Sequence, residues 1–161
     1  STLSSSSAAS DVYKRQDDWQ AKLTSDRLGT ADISNGGKLF QESCAACHSL
    51  FGEGGNLGPD LNGSDRQNAY YLLENLIDPS AVLPQDYKMN VLTLRDGRVL
   101  SGSIIAQSRH SLTLAGLNSV DVIPVSEVVK QERFEQSTMP EGLLQTMSEQ
   151  DVVDLIAYLQ R

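Results

Sequence analysis

A chain of 161 residues is expected to form one domain, or one domain with a small insertion. Its 21 acidic and 13 basic side chains give a formal charge of −8, which argues against non-specific nucleic-acid binding and favours a solvated surface or a basic partner. Hydrophobic residues make up 39% and aromatics 6%, a modest core that a large apolar cofactor would enlarge, and no apolar run reaches bilayer-spanning length.

Residues 1–16 read as a non-native or disordered tail. The first ten are Ser/Ala-rich and low in complexity, and Asp11-Val12-Tyr13-Lys14-Arg15-Gln16 resembles translated adaptor sequence. They lack the positive start and apolar stretch of a signal peptide, so an export signal is expected on a lost upstream segment. Residues 17–30 are polar, with Trp19 and Leu23 as anchors, and form a linker or a short leading helix. Asp32 is an N-cap candidate. A helix from about Ile33 carries Leu39, Phe40 and Ser43 forward. Gly36 and Gly37 each cost that helix about 1 kcal/mol, so a packing reason is expected for them.

Cys44-Ala45-Ala46-Cys47-His48 follows, the C-x-x-C-H pattern of covalent haem attachment. Two thiols add across two vinyl groups on one porphyrin edge, and two intervening residues on a helical turn space the sulfurs for it. The next residue lies under the iron, where its imidazole is the proximal ligand. Other chemistries fit less well. A thioredoxin-like pair needs a strand before it, and the segment before Cys44 reads as helix. A structural zinc site takes four ligands, and His110 stands alone. A disulfide at this spacing would be strained.

Residues 51–63 hold five glycines, Pro59 and two Asn, and read as a loop. Ser64 and Gln67 form a capping-box pattern. The helix after it sets Tyr70, Leu73, Leu76 and Ile77 on one face, and Asp78-Pro79 ends it. The period then changes. Met89, Val91, Leu92 and Leu94 lead to Asp96-Gly97, a type I′ hairpin signal. Residues 99–106 are a second strand with Gly102 as a bulge. Residues 111–114 and 120–125 are third and fourth strands, and 126–131 a helical turn. Met139-Pro140 lies in a loop. Ser148 and Asp151 form another capping box. The last helix places Val152, Leu155, Ile156 and Leu159 at helical spacing.

The two ends of the chain resemble class I cytochromes c. Gly36, Phe40, Cys44, Cys47 and His48 match that family's first helix in order and spacing, and residues 155–159 look like its last helix. The resemblance implies that Gly36 lets the last helix cross closely and that an aromatic there packs into the crossing. Gly58-Pro59-Asp60-Leu61 is similar to the family's loop below the proximal histidine. By that match Pro59 accepts a hydrogen bond from His48 Nδ1, leaving Nε2 for iron. Met139 resembles the sixth ligand; Met89, Met147 and His110 are the alternatives. Residues 33–161 also resemble a narrower group, the C-x-x-C-H haem-binding domain of planctomycete and verrucomicrobial type, which carries a β-rich segment before the methionine loop.

The expected fold is α+β. A cytochrome c-like helical haem domain, residues 17–84 and 134–161, is interrupted by a β-rich insertion, residues 85–133. The insertion is a small SH3- or Sm-like barrel or an antiparallel meander. Lys88, Arg95, Arg98 and Arg109 mark it either as a docking surface or as a solvated cap. The resemblance implies one haem c per chain, bound through Cys44 and Cys47, with His48 and Met139 as iron ligands. It implies a single-electron carrier rather than an enzyme, in the periplasm or otherwise extracytoplasmic, with a redox protein or an upstream dehydrogenase domain as partner. A gas or peroxide sensor follows if the sixth ligand is labile. A binding module follows if the insertion carries the function.

Overall fold

The structure, a computed structural model, describes residues 3–81 and 83–161. It divides into two units, one of Ser1–Glu42, Gly63–Ala81 and Pro140–Arg161 and one of Ser43–Asn62 and Val82–Met139. This boundary differs from the expected one: the C-x-x-C-H turn and its glycine loop group with the β-rich segment.

The first unit is helical. Helix α1, Leu3–Lys22, covers most of the stretch expected to be disordered. Helix α2 is Ser25–Gly29, where the Thr24 hydroxyl accepts from Arg27 N at 3.3 Å. Helix α3, Ile33–Ser43, starts where expected, with the Asp32 carboxylate accepting from Asn35 N at 3.0 Å. Helix α4, Ala69–Ile77, starts later than the Ser64 pattern implied. Asn68 caps it, accepting from Tyr70 N at 3.1 Å and Tyr71 N at 3.4 Å. Leu72, Leu73, Leu76 and Ile77 are buried, while Tyr70 faces outward and its hydroxyl donates to Gln16. Helix α5, Glu149–Leu159, begins at Ser148, whose hydroxyl accepts from Asp151 N at 3.1 Å. Burial of Val152, Val153, Leu155, Ile156 and Leu159 leaves α5 with little exposed surface.

Helices α3 and α5 meet at Gly36. A Cβ there would lie 2.1 Å from the Asp154 carbonyl oxygen and 2.7 Å from Tyr158 Cβ. Phe40 is fully buried, and its ring centroid is 5.7 Å from that of Tyr158. The missing side chain therefore lets two backbones approach. Asp154 locks the crossing. Its buried carboxylate accepts from Asp32 N at 2.9 Å, Asn35 Nδ2 at 2.8 Å and Gln150 Nε2 at 2.9 Å. Backbone at such short range cannot give way, so Gly36→Val is expected to cost about 2–3 kcal/mol. In thermal unfolding that is a fall of roughly 4–12 °C. Gly29→Ala is the control, since nothing lies within 4 Å of its added Cβ. Equal effects of the two changes would refute the close crossing.

The start of α5 is also tied electrostatically. Glu149 pairs with Arg27 at 2.7 Å and Lys22 at 3.4 Å, and these bonds hold its carboxyl below the usual carboxylate range. Bonds to Asn35 and Ser148 do the same for Asp151. A carboxyl depressed in the folded state stabilises the fold above its unfolded pKa and loses that contribution as pH falls through the folded one. Stability to urea is therefore expected to hold at neutral pH and to fall in acid, below the ordinary carboxylate range. Glu149→Gln should flatten part of that fall; an unchanged pH profile would remove Glu149 from it.

The second unit is built on β-structure. Strands β1, Ser49–Leu50, and β2, Glu53–Gly54, form a short hairpin that the sequence presented only as loop. Its turn residues Phe51 and Gly52 have φ of 53° and 84°, the positive pair of a type I′ turn. Five longer strands follow: β3 Met89–Leu94, β4 Val99–Gln107, β5 Ser111–Ala115, β6 Val120–Pro124 and β7 Val128–Arg133. They form one antiparallel sheet in the order β6-β5-β4-β3-β7. Leu92, Leu94, Leu112, Leu114 and Ile123 make its core, joined by Leu100, Ile104 and Val128.

Three local expectations change here. At Asp96-Gly97 only Gly97 has positive φ; Gly97 N donates to Leu94 O, and Leu94 N donates to Arg98 O. That is a three-residue loop with glycine in the left-handed position, not a type I′ turn. The bulge in β4 falls at Ile105, where the register with β5 shifts. Gly102 instead admits β5, since a Cβ there would lie 2.2 Å from the Ala115 carbonyl oxygen. Last, the segment read as a helical turn holds a 3-10 turn at Val125–Glu127 and then β7, which adds beside β3.

Candidate haem-binding site

Residues 44–48 wind through one turn, in which Cys47 N and His48 N both donate to the Cys44 carbonyl, at 3.1 and 2.9 Å. Both thiol-bearing residues and the imidazole thus sit on a single turn. Cys44 is buried and Cys47 half-buried, and both are free thiols. Burial, and next the neighbouring Cys47, pushes the Cys44 thiol up to about 11. Burial raises Cys47 as well. Redox-active and nucleophilic cysteines are instead lowered by positive surroundings. The protonated pair therefore counts against the dithiol alternative. Among the described residues no group of three or more His, Cys, Asp or Glu side chains is placed to hold a metal ion.

The glycine-rich loop folds back onto this turn. Gly55 N donates to Ala45 O at 2.8 Å and Gly58 N to Cys47 O at 2.7 Å. The loop then passes the imidazole so closely that a Cβ on Gly58 would lie 2.6 Å from His48 Cε1 and 2.9 Å from Nδ1. Only a residue without a side chain leaves the half-buried ring its place. The sequence marked this loop by its glycines but could not say that Gly58 lies against the ring.

The Pro59 carbonyl oxygen lies 2.8 Å from His48 Nδ1. A carbonyl only accepts, so Nδ1 carries the proton, and in the neutral ring Nε2 then keeps its lone pair. That is the arrangement an iron ligand needs. The chain thus offers two reduced thiols one turn apart and an imidazole with a free Nε2. These fit a haem joined through Cys44 and Cys47 and ligated by His48.

Cys44, Cys47, His48 and Pro59 are brought together by this loop and turn. Met139 comes from another segment, the bend after β7, where its N donates to Ser137 Oγ at 3.1 Å. It is half-buried, but so are Met89 and Met147, so burial does not choose among the three. His110 is exposed in the β4–β5 turn among Ser108 and Ser111.

Taken together, the turn, the free thiols and the oriented imidazole are a set of groups that fits covalent attachment of haem. Residues 33–91 match the family model for cytochrome c, a stretch running from the start of α3 into β3. The match covers less than half of the chain and supports likeness to c-type cytochromes, a family whose members bind haem c covalently and generally carry electrons. No curated protein matches the chain. No helix among the described residues is long and apolar enough to cross a membrane.

Proposed function

We propose that this protein is a monohaem c-type cytochrome domain that transfers single electrons outside the cytoplasm, in the periplasm or an equivalent compartment. The reading rests above all on one observation, the Pro59 carbonyl 2.8 Å from His48 Nδ1 on a turn that carries two free thiols. In this account Cys44 and Cys47 carry the thioether bonds. His48 Nε2 and the Met139 sulfur ligate iron, and Pro59 orients His48. The bound haem supplies the one-electron couple, and the chain tunes it by ligand, burial and hydrogen bonding. The direct test is the mass of the purified chain after production with haem-maturation machinery. One added haem that survives denaturation supports the reading; a chain at its bare polypeptide mass refutes it.

The β-rich segment is proposed to be a small SH3- or Sm-like unit. Its first strand lies between the second and the fifth, and a 3-10 turn separates the fourth from the fifth. With the C-x-x-C-H turn, it supports assignment to the haem-binding domain of planctomycete and verrucomicrobial type. Lys88 pairs with Glu135, Arg98 with Asp96 at 2.8 Å and Lys130 with Glu132 at 2.8 Å. Charges paired within the unit favour a solvated cap over a docking surface for the electron partner, a redox protein or dehydrogenase domain. Replacing residues 86–132 by a short linker should then leave the haem spectrum and electron transfer to a redox partner extract intact. Loss of transfer with an intact spectrum would restore the docking role.

A further inference from the structure

The loop below His48 carries a side-chain strap that the reading above does not use. Asp60 Oδ1 accepts from Asn62 N at 2.9 Å and from Asn62 Nδ2 at 2.7 Å. Asn62 Oδ1 in turn accepts from Phe51 N at 3.0 Å, and Leu61 N donates to Ser49 O at 2.9 Å. Residues 60–62 are thereby bound to residues 49–51, the stretch that leaves His48. Bonds from Asn62, and a further one from Ser49, hold the exposed Asp60 carboxyl below the usual carboxylate range, so the strap stays charged near neutral pH.

Pro59 lies between two fixed points. On one side Gly58 N is bonded to Cys47 O at 2.7 Å, and on the other stands the strap. Proline has no N–H of its own to add. Phe51 is a second mark of constraint. A bulky residue at φ 53° is a backbone outlier. Such a conformation persists where its surroundings over-determine it, and here the Asn62 side chain receives its N–H.

We propose that the Asp60–Asn62 strap is a positioning device for His48: it holds the Pro59 carbonyl against Nδ1–H and so sets the ring's tautomer. Asp60 and Asn62 are positioning residues, acting through Pro59. The tautomer of a neutral imidazole follows the bond its nitrogens make. Without a fixed acceptor at Nδ1, the ring drifts to the Nε2–H form that free histidine favours, and that form has no lone pair on Nε2 to offer a metal. The consequence for the haem rests on the function proposed above. A firm Nδ1–H bond makes Nε2 a stronger donor, favours ferric iron and lowers the potential.

The test is nitrogen NMR of the His48 ring in the full chain, at a pH where the ring is neutral, with and without haem. Asn62→Ala is the main variant and Asp60→Ala the second, each checked for folding by circular dichroism. Asp60→Asn keeps an acceptor and is the conservative rescue. In the haem-free chain the unaltered protein should be mainly Nδ1–H. Either alanine variant should move towards Nε2–H, and Asp60→Asn should stay near the unaltered protein. In the loaded protein the alanine variants should show a raised potential. A folded Asn62→Ala or Asp60→Ala chain that keeps the Nδ1–H form overturns the strap. Haem content is measured on the same samples. A chain that takes no haem but shows the tautomer shift keeps the strap and loses the proposed function. A chain that takes haem without the shift does the reverse.

Discussion

Exchanging Cys44 and Cys47 together for Ala is expected to abolish covalent haem. The pigment of the double variant should be fully extracted by acidified organic solvent, where the unaltered chain keeps all of its own. The reason lies in the turn at residues 44–48, which puts the only two thiols of the chain within one helical step of His48. No other cysteine can substitute. The single changes should be informative as well. Each leaves one thioether and one unreacted vinyl group. The extra conjugation moves the reduced α-band to longer wavelength while the haem stays bound. Both sulfurs are free in the folded chain, and burial pushes both thiols up from their ordinary value. Equal haem retention in the double variant would mean that the thiols do not carry the haem at all.

Met139→Ala is the second large effect. A thioether ligand favours ferrous iron and raises the potential relative to two imidazoles or to water. Its loss should lower the potential by on the order of 0.1 V or more, within the roughly 0.8 V that axial ligands span. The weak far-red band of ferric iron bound by thioether should vanish, while covalent attachment survives. Met89→Ala and Met147→Ala should leave that band in place. Since all three methionines are half-buried, this comparison decides among them. If the band persists in Met139→Ala and disappears in one of the other two, the sixth ligand has been misassigned. If the unaltered protein lacks the band, the sixth position is open or held by another group, and a gas- or peroxide-binding role takes precedence over electron transfer.

The parts of the fold that were legible in the sequence are those with local causes. Asp32 and Ser148 cap their helices as their side chains imply, and the apolar spacing of α5 matches its buried face. Gly36 was conspicuous because a glycine inside a helix needs a reason, and the reason is the Asp154 carbonyl. Features set by distant partners were hidden. Strand β7 is short and polar, with five of its six residues exposed, so only its pairing with β3 makes it a strand. The α4 cap moved from Ser64 to Asn68 because the intervening residues form turns. Helix α1 rests on α4 and has little periodicity of its own to announce it.

At the site the division is similar. Cys44, Cys47 and His48 are written in the sequence as a pattern, because each bond demands a residue type at a fixed spacing. The Pro59 contact followed from a resemblance, and a distance of 2.8 Å now stands at that place. Asp60 was marked only as part of the stretch 58–61 and Asn62 only as a loop residue, since their role depends on meeting Ser49 and Phe51 across the loop. Gly58 was marked by the resemblance of that same stretch, and the ring beside it shows why it has no side chain.

The measurement that bears most directly on the account is the visible spectrum of the unaltered chain, oxidised and reduced, after production with haem-maturation machinery. The account predicts a haem c α-band from pigment that resists extraction, together with the far-red band of thioether-bound ferric iron. A colourless protein with two titratable thiols would contradict it, and the turn at residues 44–48 would then have to be understood as a dithiol.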